Sequence, residues 1–565
     1  MYKLLILNIK LTCRQGFAGA FAARFAGGRC GLHQLLTSLL TPLLTPLRRP
    51  PPMLSPMLSP MLSPMLSLML LLGGCMVGPD YQRPSVNLPA GYGAQAAPPE
   101  GWKLAQPAEE AALNPAGKPA SGADALRWWR LWQDEGLARL VESVEVNNQN
   151  VLAAQAQLRQ ALAVIDASRA SLYPALTASL PATRGQGVSS STTGSSVVST
   201  GASTRNTVRL SSSVSWEADL WGRIGRTIEA GEATAQASAA DLAATLLSAR
   251  ATLVQSWLQW RMLGAQLALV ERSIGAYERA LQITRNRFEA GVAQRSDVSQ
   301  AESQLQGALA QRLELGLQRL QLQNAMAVLL GRNPGSLVAA ELEAGIAAAA
   351  VPGAAVATSG AVAAAPAIPV IPEVPLGLPS ALLERRPDVA AAERRVAAAN
   401  AQIGVARAAF FPTLTLGGTL GYQNTRLAEL VNTSNRFWSL GPTLAMTLFD
   451  AGARSAQQAQ AAAAWDKSVA SYRQTVLTAL QEVEDNLAAV RWLEQEQAAQ
   501  RKAADTAAET LVIVQNQYLA GTVSYLNVVT AQSASLTAER AVLDIALRRM
   551  NAGVALVRAL GGGWK

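Results

Sequence analysis

Apolar residues recur along this chain with two periods, and the change from one to the other marks out its elements. Leu543, Leu547, Met550, Val554 and Val557 follow a four-three-four-three spacing. Val469, Tyr472, Val476, Leu480, Val483, Leu487 and Val490 do nearly the same, with one extra residue. Such stripes predict helices packed side by side in coiled-coil fashion, the extra residue locally shifting the supercoil. Elsewhere the period falls to two. In TLTLGGTLGYQ, Leu414, Leu416, Leu420 and Tyr422 share one face, and Thr413, Thr415, Thr419 and Gln423 the other. From Trp438, WSLGPTLAMTL sets Trp438, Leu440, Leu444, Met446 and Leu448 against Ser439, Thr443 and Thr447. Val208, Leu210, Val214 and Trp216 oppose Arg209, Ser211, Ser213 and Ser215, and Leu176, Ala178 and Leu180 begin a weaker copy. These read as two hairpins of about ten residues per strand, with polar loops near Ser189 to Asn206 and Asn424 to Arg436.

Proline limits how far the helices can run. None occurs from Ala182 to Asn333 or from Thr443 to Lys565, and both tracts are dominated by strong helix formers. Arg226 to Phe288 can form one helix of about 63 residues, roughly 95 Å long, and Arg454 to Tyr518 can match it. That is far longer than an ordinary globular helix.

The chain also repeats itself. The stretch from Asn150 aligns without a gap to that from Asp388, setting Val151 on Val389 and Tyr173-Pro174 on Phe411-Pro412. FEAGVAQRSDVSQAESQL from Phe288 aligns to YLAGTVSYLNVVTAQSAS from Tyr518, with Gly291 on Gly521, and Leu330-Gly331 falls on Leu560-Gly561. Three anchors in order predict an internal duplication whose unit is far larger than a solenoid repeat.

Strands of this length, apolar on one face and polar on the other, are the signature of membrane barrels. A half-buried soluble sheet is the other reading of this pattern; four strands cannot close and open edges are not tolerated in lipid, so the membrane reading requires several chains to share one barrel.

Composition changes the picture at the amino-terminal side. Arg48 and Arg49 flank an uncharged apolar stretch from Met53 to Leu72, broken every four residues by prolines. This reads as an export signal rather than a stable transmembrane helix. Leu72-Gly73-Gly74-Cys75 resembles a bacterial lipobox, in which the new amino-terminal cysteine is acylated. The residues before Arg48 are long for a leader, so the start is expected to lie too far upstream. Cleavage before Cys75 removes seven basic residues and no acid, and the formal charge of +9 becomes 41 minus 39, or +2. A nucleic-acid partner is therefore not supported. Beyond that point the chain has no histidine and only Cys75 as a thiol, which excludes disulfides, His or Cys metal sites and Ser-His or Cys-His nucleophiles. A carboxylate-based enzyme stays formally open, with no glycine-rich phosphate loop or other catalytic motif to support it.

The order now reads lipobox, then twice a helix, an aromatic-Pro step, a hairpin, a long helix, a Gly turn and a returning helix. With VGPDYQRP at Val77, WWRLW at Trp128, WEADLWGRIGR at Trp216, ERRPDVAAAERRVAAANAQIGVARAAFFPTL at Glu384, LFDAGAR at Leu448 and YLAGTVSYLNVVTAQ at Tyr518, the chain resembles the TolC/OprM outer-membrane factor family. The likeness is to its lipoprotein branch, the NodT-like subunits that serve RND-type multidrug efflux. The long motif at Glu384 is highly specific; WWRLW is weak alone.

That resemblance implies an α+β membrane protein: a homotrimer with a twelve-stranded outer-membrane β-barrel, four strands per protomer, continued by a periplasmic α-helical barrel. It implies an exit duct for drugs or other small molecules, not an enzyme and without cofactor beyond diacylglycerol and an acyl chain on Cys75. The partners would be a periplasmic membrane-fusion adaptor, an inner-membrane RND transporter and outer-membrane lipid. The outer component of a type I protein-secretion system and a non-channel coiled-coil lipoprotein remain as alternatives. The expected divisions are a leader over 1–74, a lipidated extended segment over 75–124, a first repeat over 125–334, an Ala/Pro-rich linker near the equatorial belt over 335–380 and a second repeat over 381–565. The tunnel's closed end would lie at Phe288 to Ser296 and Tyr518 to Tyr525, with Tyr518, Asn527, Thr530 and Asp297 at the aperture and Gly291, Val292, Gly521 and Thr522 at tips that meet the adaptor. Family members often carry acids where this chain has Asn527 and Thr530, and a basic latch residue where it has Val523. The expected closure therefore rests on apolar and hydrogen-bonded contacts. Asp297 has two readings, aperture acid or cap of the returning helix.

Overall fold

The computed structural model describes residues 76–87, 89, 127–132, 134–193, 196–338, 342 and 385–562. The leader, Cys75 and nearly all of the Ala/Pro-rich segment lie outside the described residues. The order is a 3-10 turn Trp128–Trp132, α1 (Glu135–Asn147), α2 (Gln149–Ala170), β1 (Ala175–Ser179), β2 (Ala182–Thr193), β3 (Ser196–Ala218), α3 (Arg223–Glu289) and α4 (Arg295–Leu329). There follow α5 (Pro387–Ala408), β4 (Thr413–Asn424), β5 (Arg436–Ala445), α6 (Ala453–Leu519) and α7 (Tyr525–Ala559).

Both proline-free tracts become the expected helices. α3 and α6 are each 67 residues, α4 and α7 each 35, and α2 and α5 each 22. At about 1.5 Å per residue the longest pair spans roughly 100 Å. Each starts after a glycine with positive φ, Gly222 at +73° and Gly452 at +89°. An upstream aspartate holds the exposed amides: Asp219 accepts from the Ile224 and Gly225 N–H groups, and Asp450 from those of Gly452 and Arg454. Orphan donors at a helix start are satisfied in this way.

α3 packs on α4 and α6 on α7, while α5 bridges α3 and α6 and α2 lies on α3. The stripe of α6 changes partner along its length. Val469, Tyr472 and Val476 meet Val389 and Val396 of α5, whereas Val483 and Leu487 meet Leu556 and Ala559 of α7 and Leu560 just past its end. The stripe of α7 turns to a third surface, since Met550, Val554 and Val557 join the largest cluster with Trp128, Trp129 and Trp132, α1 and the Trp257 region of α3. The WWRLW motif is thus a core element. Arg250 lies over Trp129 at 4.7 Å and Arg319 over Trp260 at 4.2 Å, bringing cations onto indole faces.

The sheet is antiparallel, in the order β1-β3-β4-β5, with β2 also on β3. β1 pairs with Ser211 to Ser215 and β2 with Ser196 to Val208, so they are successive pieces along one edge of β3. The break falls at Leu180-Pro181, where proline has no N–H to give a ladder; its carbonyl accepts from the Arg209 N–H at 3.0 Å. The expected loop from Ser189 to Asn206 is corrected: strand pairing continues through it to Thr193↔Ser196. Ser, Thr and Val there form a proline-free run in which β-branched residues favour a strand despite low hydrophobicity. At the other end β5 stops at Ala445, so Met446 and Leu448 lie beyond the strand expected to hold them. The second loop, Asn424 to Arg436, stands as expected, between β4 and β5.

Candidate functional site

Three places carry chemistry or an unusual surface: the sheet faces, the helix tips and the amino-terminal strap. On one sheet face, register aligns Leu210 with Tyr422, Trp216 with Leu416, Leu420 with Trp438 and Leu414 with Leu444. These side chains face outward from the chain; Leu420, Trp438 and Leu440 are 55%, 70% and 77% exposed. The other face is joined by hydroxyls, Ser179 to Ser211 at 3.0 Å and Ser213 to Thr419 at 3.3 Å. Among the described residues, β5 and the β1/β2 edge each have an unpaired side.

At the far ends of the long helices the reversals are closed by glycine. Gly291 (φ +73°) donates to Phe288 O at 2.9 Å and Val292 to Arg287 O at 2.8 Å. Gly521 (φ +76°) donates to Tyr518 O at 3.0 Å and Thr522 to Gln517 O at 3.0 Å. This is the positive-φ ending expected of helix termini. Val292 and Thr522 are exposed at the tips.

The two tips are tied together by a residue that the sequence reading did not single out. The Arg287 guanidinium donates to Tyr518 O at 2.9 Å and lies over the Tyr518 ring at 4.5 Å. A cation beside the last carbonyls of a helix is favourable, and its place one turn before Gly291 is the signal that could have found it. Tyr518 packs on Tyr525, ring centroids 5.4 Å apart, within a cluster of Leu281, Ala301, Val528 and Val529. Burial, and then the neighbouring Tyr518, Tyr277 and Asp297, push the Tyr525 phenol up to about 12.

The four residues expected at the aperture therefore do not converge within one chain. Tyr518 is buried in the tip core, whereas Asn527 and Thr530 sit on an exposed face of α7. The Thr530 hydroxyl is turned back to Leu526 O at 2.9 Å. Asp297 accepts from the Gln294 N–H at 3.2 Å, which is capping geometry at the start of α4.

The strap holds the segment after Cys75 against the junction of sheet and helices. Val77 donates to Trp221 O at 3.1 Å, and Asn400 donates to Pro79 O at 2.9 Å. Arg226, 2% exposed, donates to Gly78 O, Asp80 and Glu229. Tyr81 donates to Glu393, which also pairs with Arg394; burial and then that bond push the phenol far above its ordinary range. Among the described residues, no helix is long and apolar enough to cross a membrane and no acid, His or Cys group is placed to hold a metal.

The model of the family described as outer membrane efflux protein matches residues 140–332 and 378–562. The chain is 31% identical, over 87% of its length and 94% of the relative, to the toluene efflux pump outer membrane protein TtgC of Pseudomonas putida. It is equally 31% identical to the outer membrane protein OprJ of Pseudomonas aeruginosa, over 87% of this chain and 94% of that one. Among solved structures, the outer-membrane channel OprN superposes with a TM-score of 0.69 at 28% identity, covering 87% of this chain and all of the other.

Proposed function

The chain belongs to the outer membrane efflux protein family, and we propose that it is the exit duct of a tripartite pump, passively carrying drugs or other small molecules outward. It is an outer-membrane efflux component with a periplasmic part, and not an enzyme.

One observation carries the finer reading: a sheet four strands wide, apolar on one face, polar on the other and unpaired at both edges, stands on 67-residue helices. In lipid such edges require partners. Three copies joined edge to edge make a twelve-stranded barrel, the apolar side chains toward lipid and the hydroxyl-lined face toward water. The helices then continue the duct through the periplasm, and their glycine tips meet an adaptor that links the duct to an inner-membrane RND transporter. The matching helix lengths in the two halves support an internal duplication. The strap supports a lipid anchor at Cys75, because Met76 lies against Gly222 where β3 passes into α3. Diacylglycerol and an acyl chain on Cys75 would then enter the leaflet beside the barrel.

The test is native mass spectrometry with planar-bilayer recording of the membrane-extracted protein. Trimers that give long-lived pores are expected; pores from a monomer, or trimers without conductance, would overturn the reading.

A further inference from the structure

We infer that the barrel's hydroxyl-lined face makes the duct selective for anions, through Arg209 and Arg205 of β3; this rests on the channel reading above. Between Ser171 and Trp216 the chain has Arg184, Arg205 and Arg209 and no acid, and from Phe410 to Phe449 the only acid is Glu429. Glu429 is held by Arg426 at 3.3 Å in the loop between β4 and β5. The remaining acid of the strands, Glu217, accepts a two-pronged contact from Arg223 at 2.8 and 2.9 Å, which neutralises it at the helix end of the sheet.

Register decides which cations face the water. Arg209 lies opposite Gln423, in phase with Ser211 and Ser213 on the hydroxyl face. Arg205 lies opposite Gly185 and in the same phase. Arg184 lies opposite Asn206, in phase with Val208 on the other face. Arg209 is also built into place. A side chain at Gly421 would meet Leu210 O at 2.2 Å and the Phe437 ring at 2.9 Å, so this glycine leaves room for the Phe437 ring across the strand pair. The Arg209 guanidinium rests on that ring at 4.3 Å, and its Nε is buried without a hydrogen-bond partner. Among the described residues no carboxylate lies within ion-pair distance of Arg205 or Arg209. An aromatic platform fixes the position of a cation without cancelling its charge.

From Glu217 to Arg209 is eight residues of β3, roughly 26 Å of strand and, at the usual tilt of about 40°, roughly 20 Å of height. Arg209 therefore stands near the far mouth of an apolar band about 25 Å tall, with Arg205 beyond it. In three copies the two positions set uncompensated guanidinium groups around one passage between low-dielectric walls. A passage lined by one sign of charge concentrates ions of the other. At the opposite end Asn527 and Thr530 are neutral on the exposed face of α7, and the tip acids Glu289 and Asp297 each stand two residues from an arginine, Arg287 and Arg295. A solute bearing a carboxylate, sulfate or phosphate group then leaves against a lower barrier than a cation of the same size.

The experiment is the reversal potential of the full trimer in planar bilayers under a potassium chloride gradient. The wild type should prefer chloride by roughly threefold or more at about 0.1 M salt and lose most of that preference at 1 M, where screening is strong. Arg205→Gln with Arg209→Gln should bring PCl/PK to about one or below, whereas Arg184→Gln, the same charge loss on the opposite face, should leave it unchanged. Among the described residues neither arginine has an acid partner, so removing it strands no buried charge; should the double variant fail to insert, the wild-type salt dependence decides. Pores that are unselective or cation-selective at low salt, or a double variant that keeps the wild-type ratio, would overturn the inference while leaving the duct standing. Complete absence of conductance would instead overturn the channel reading and this inference with it.

Discussion

Arg287→Gln is the sharpest single test of how the periplasmic tips hold together. The wild-type guanidinium makes two contacts across the tips, a charged donor to Tyr518 O at 2.9 Å and a cation–π contact at 4.5 Å. A hydrogen bond with a charged donor contributes about 1.5–3 kcal/mol, and a partly exposed cation–π contact about 0.5–1 kcal/mol. Arg287 is only half-buried, so the lower part of each range applies and the loss should be about 2 kcal/mol. At about 1.4 kcal/mol per factor of ten, local opening of the tip becomes roughly 30-fold more frequent.

Hydrogen exchange followed by mass spectrometry on the extracted trimer reads that opening directly. Amides around Val528 and Val529, whose side chains join Tyr525 in the tip cluster, should lose about 30-fold protection; those around Trp257, in the separate tryptophan core, should not change. Arg287→Lys should fall between the two, because the charge remains but the planar group that covers the ring does not. Unchanged protection in Arg287→Gln would mean that the tyrosine cluster alone fixes the tips, and the role given to Arg287 would be wrong.

Leu416→Arg, on the apolar face, should cost roughly 2–4 kcal/mol of insertion near the midplane, while Thr415→Arg on the hydroxyl face should be far milder; trimer yield in the outer membrane compares them. Asn527→Asp or Thr530→Asp adds one like charge per protomer at the exposed tip face, and single-channel recordings should show greater cation preference or a looser resting state. The Tyr525 phenol, ordinarily near 10, stands at about 12 in the fold. Its contribution to tip stability should thus be complete below pH 10 and lost as pH rises toward 12, which exchange near Tyr525 would report. Mass spectrometry of the purified chain should find acylated Cys75 followed by Met76, and Cys75→Ser should lose the lipid while the barrel still inserts.

The long helices were legible because proline is absent over both tracts and strong helix formers dominate between the glycines that end them. Boundaries at Arg223 and Glu289 differ from the expected Arg226 and Phe288 by a turn or less, since Gly222 and Gly291 mark both ends. The sheet was legible where apolar and polar residues alternate, around Leu416 and Val214. It was not legible from Ser189 to Asn206, where serine and threonine occupy both faces and the period-two signal disappears although the backbone ladder continues. The tips were half legible. Positive-φ glycines announce a reversal, but that Tyr518 turns inward onto Tyr525 while Asn527 stays exposed depends on how α3, α4, α6 and α7 meet, and one helix's spacing does not carry that.

The strap explains why a short extended segment far upstream carries so specific a motif. Gly78 has φ +118°, and a side chain there would lie 2.6 Å from the Cα of Gly404; one at Gly404 would meet the Arg226 side chain at 2.9 Å. Two glycines and one arginine thus form a single close-packed crossing between the strap, α3 and α5. Arg226 is almost fully buried, so its charge is tolerated only because Asp80 arrives with the strap and Glu229 stands one turn away. Removing a partner from a buried charge typically costs about 3–5 kcal/mol, although Asp80 is itself solvent-exposed and its loss should cost less than that. Farther along, Arg83 donates to the Tyr472 hydroxyl on α6, so the same strap fastens the helices of both halves of the chain. An anchor at Cys75 would therefore be joined to the helical barrel through a rigid crossing rather than a loose tether, and the leaflet, the start of the long helices and the two halves would be held in one register.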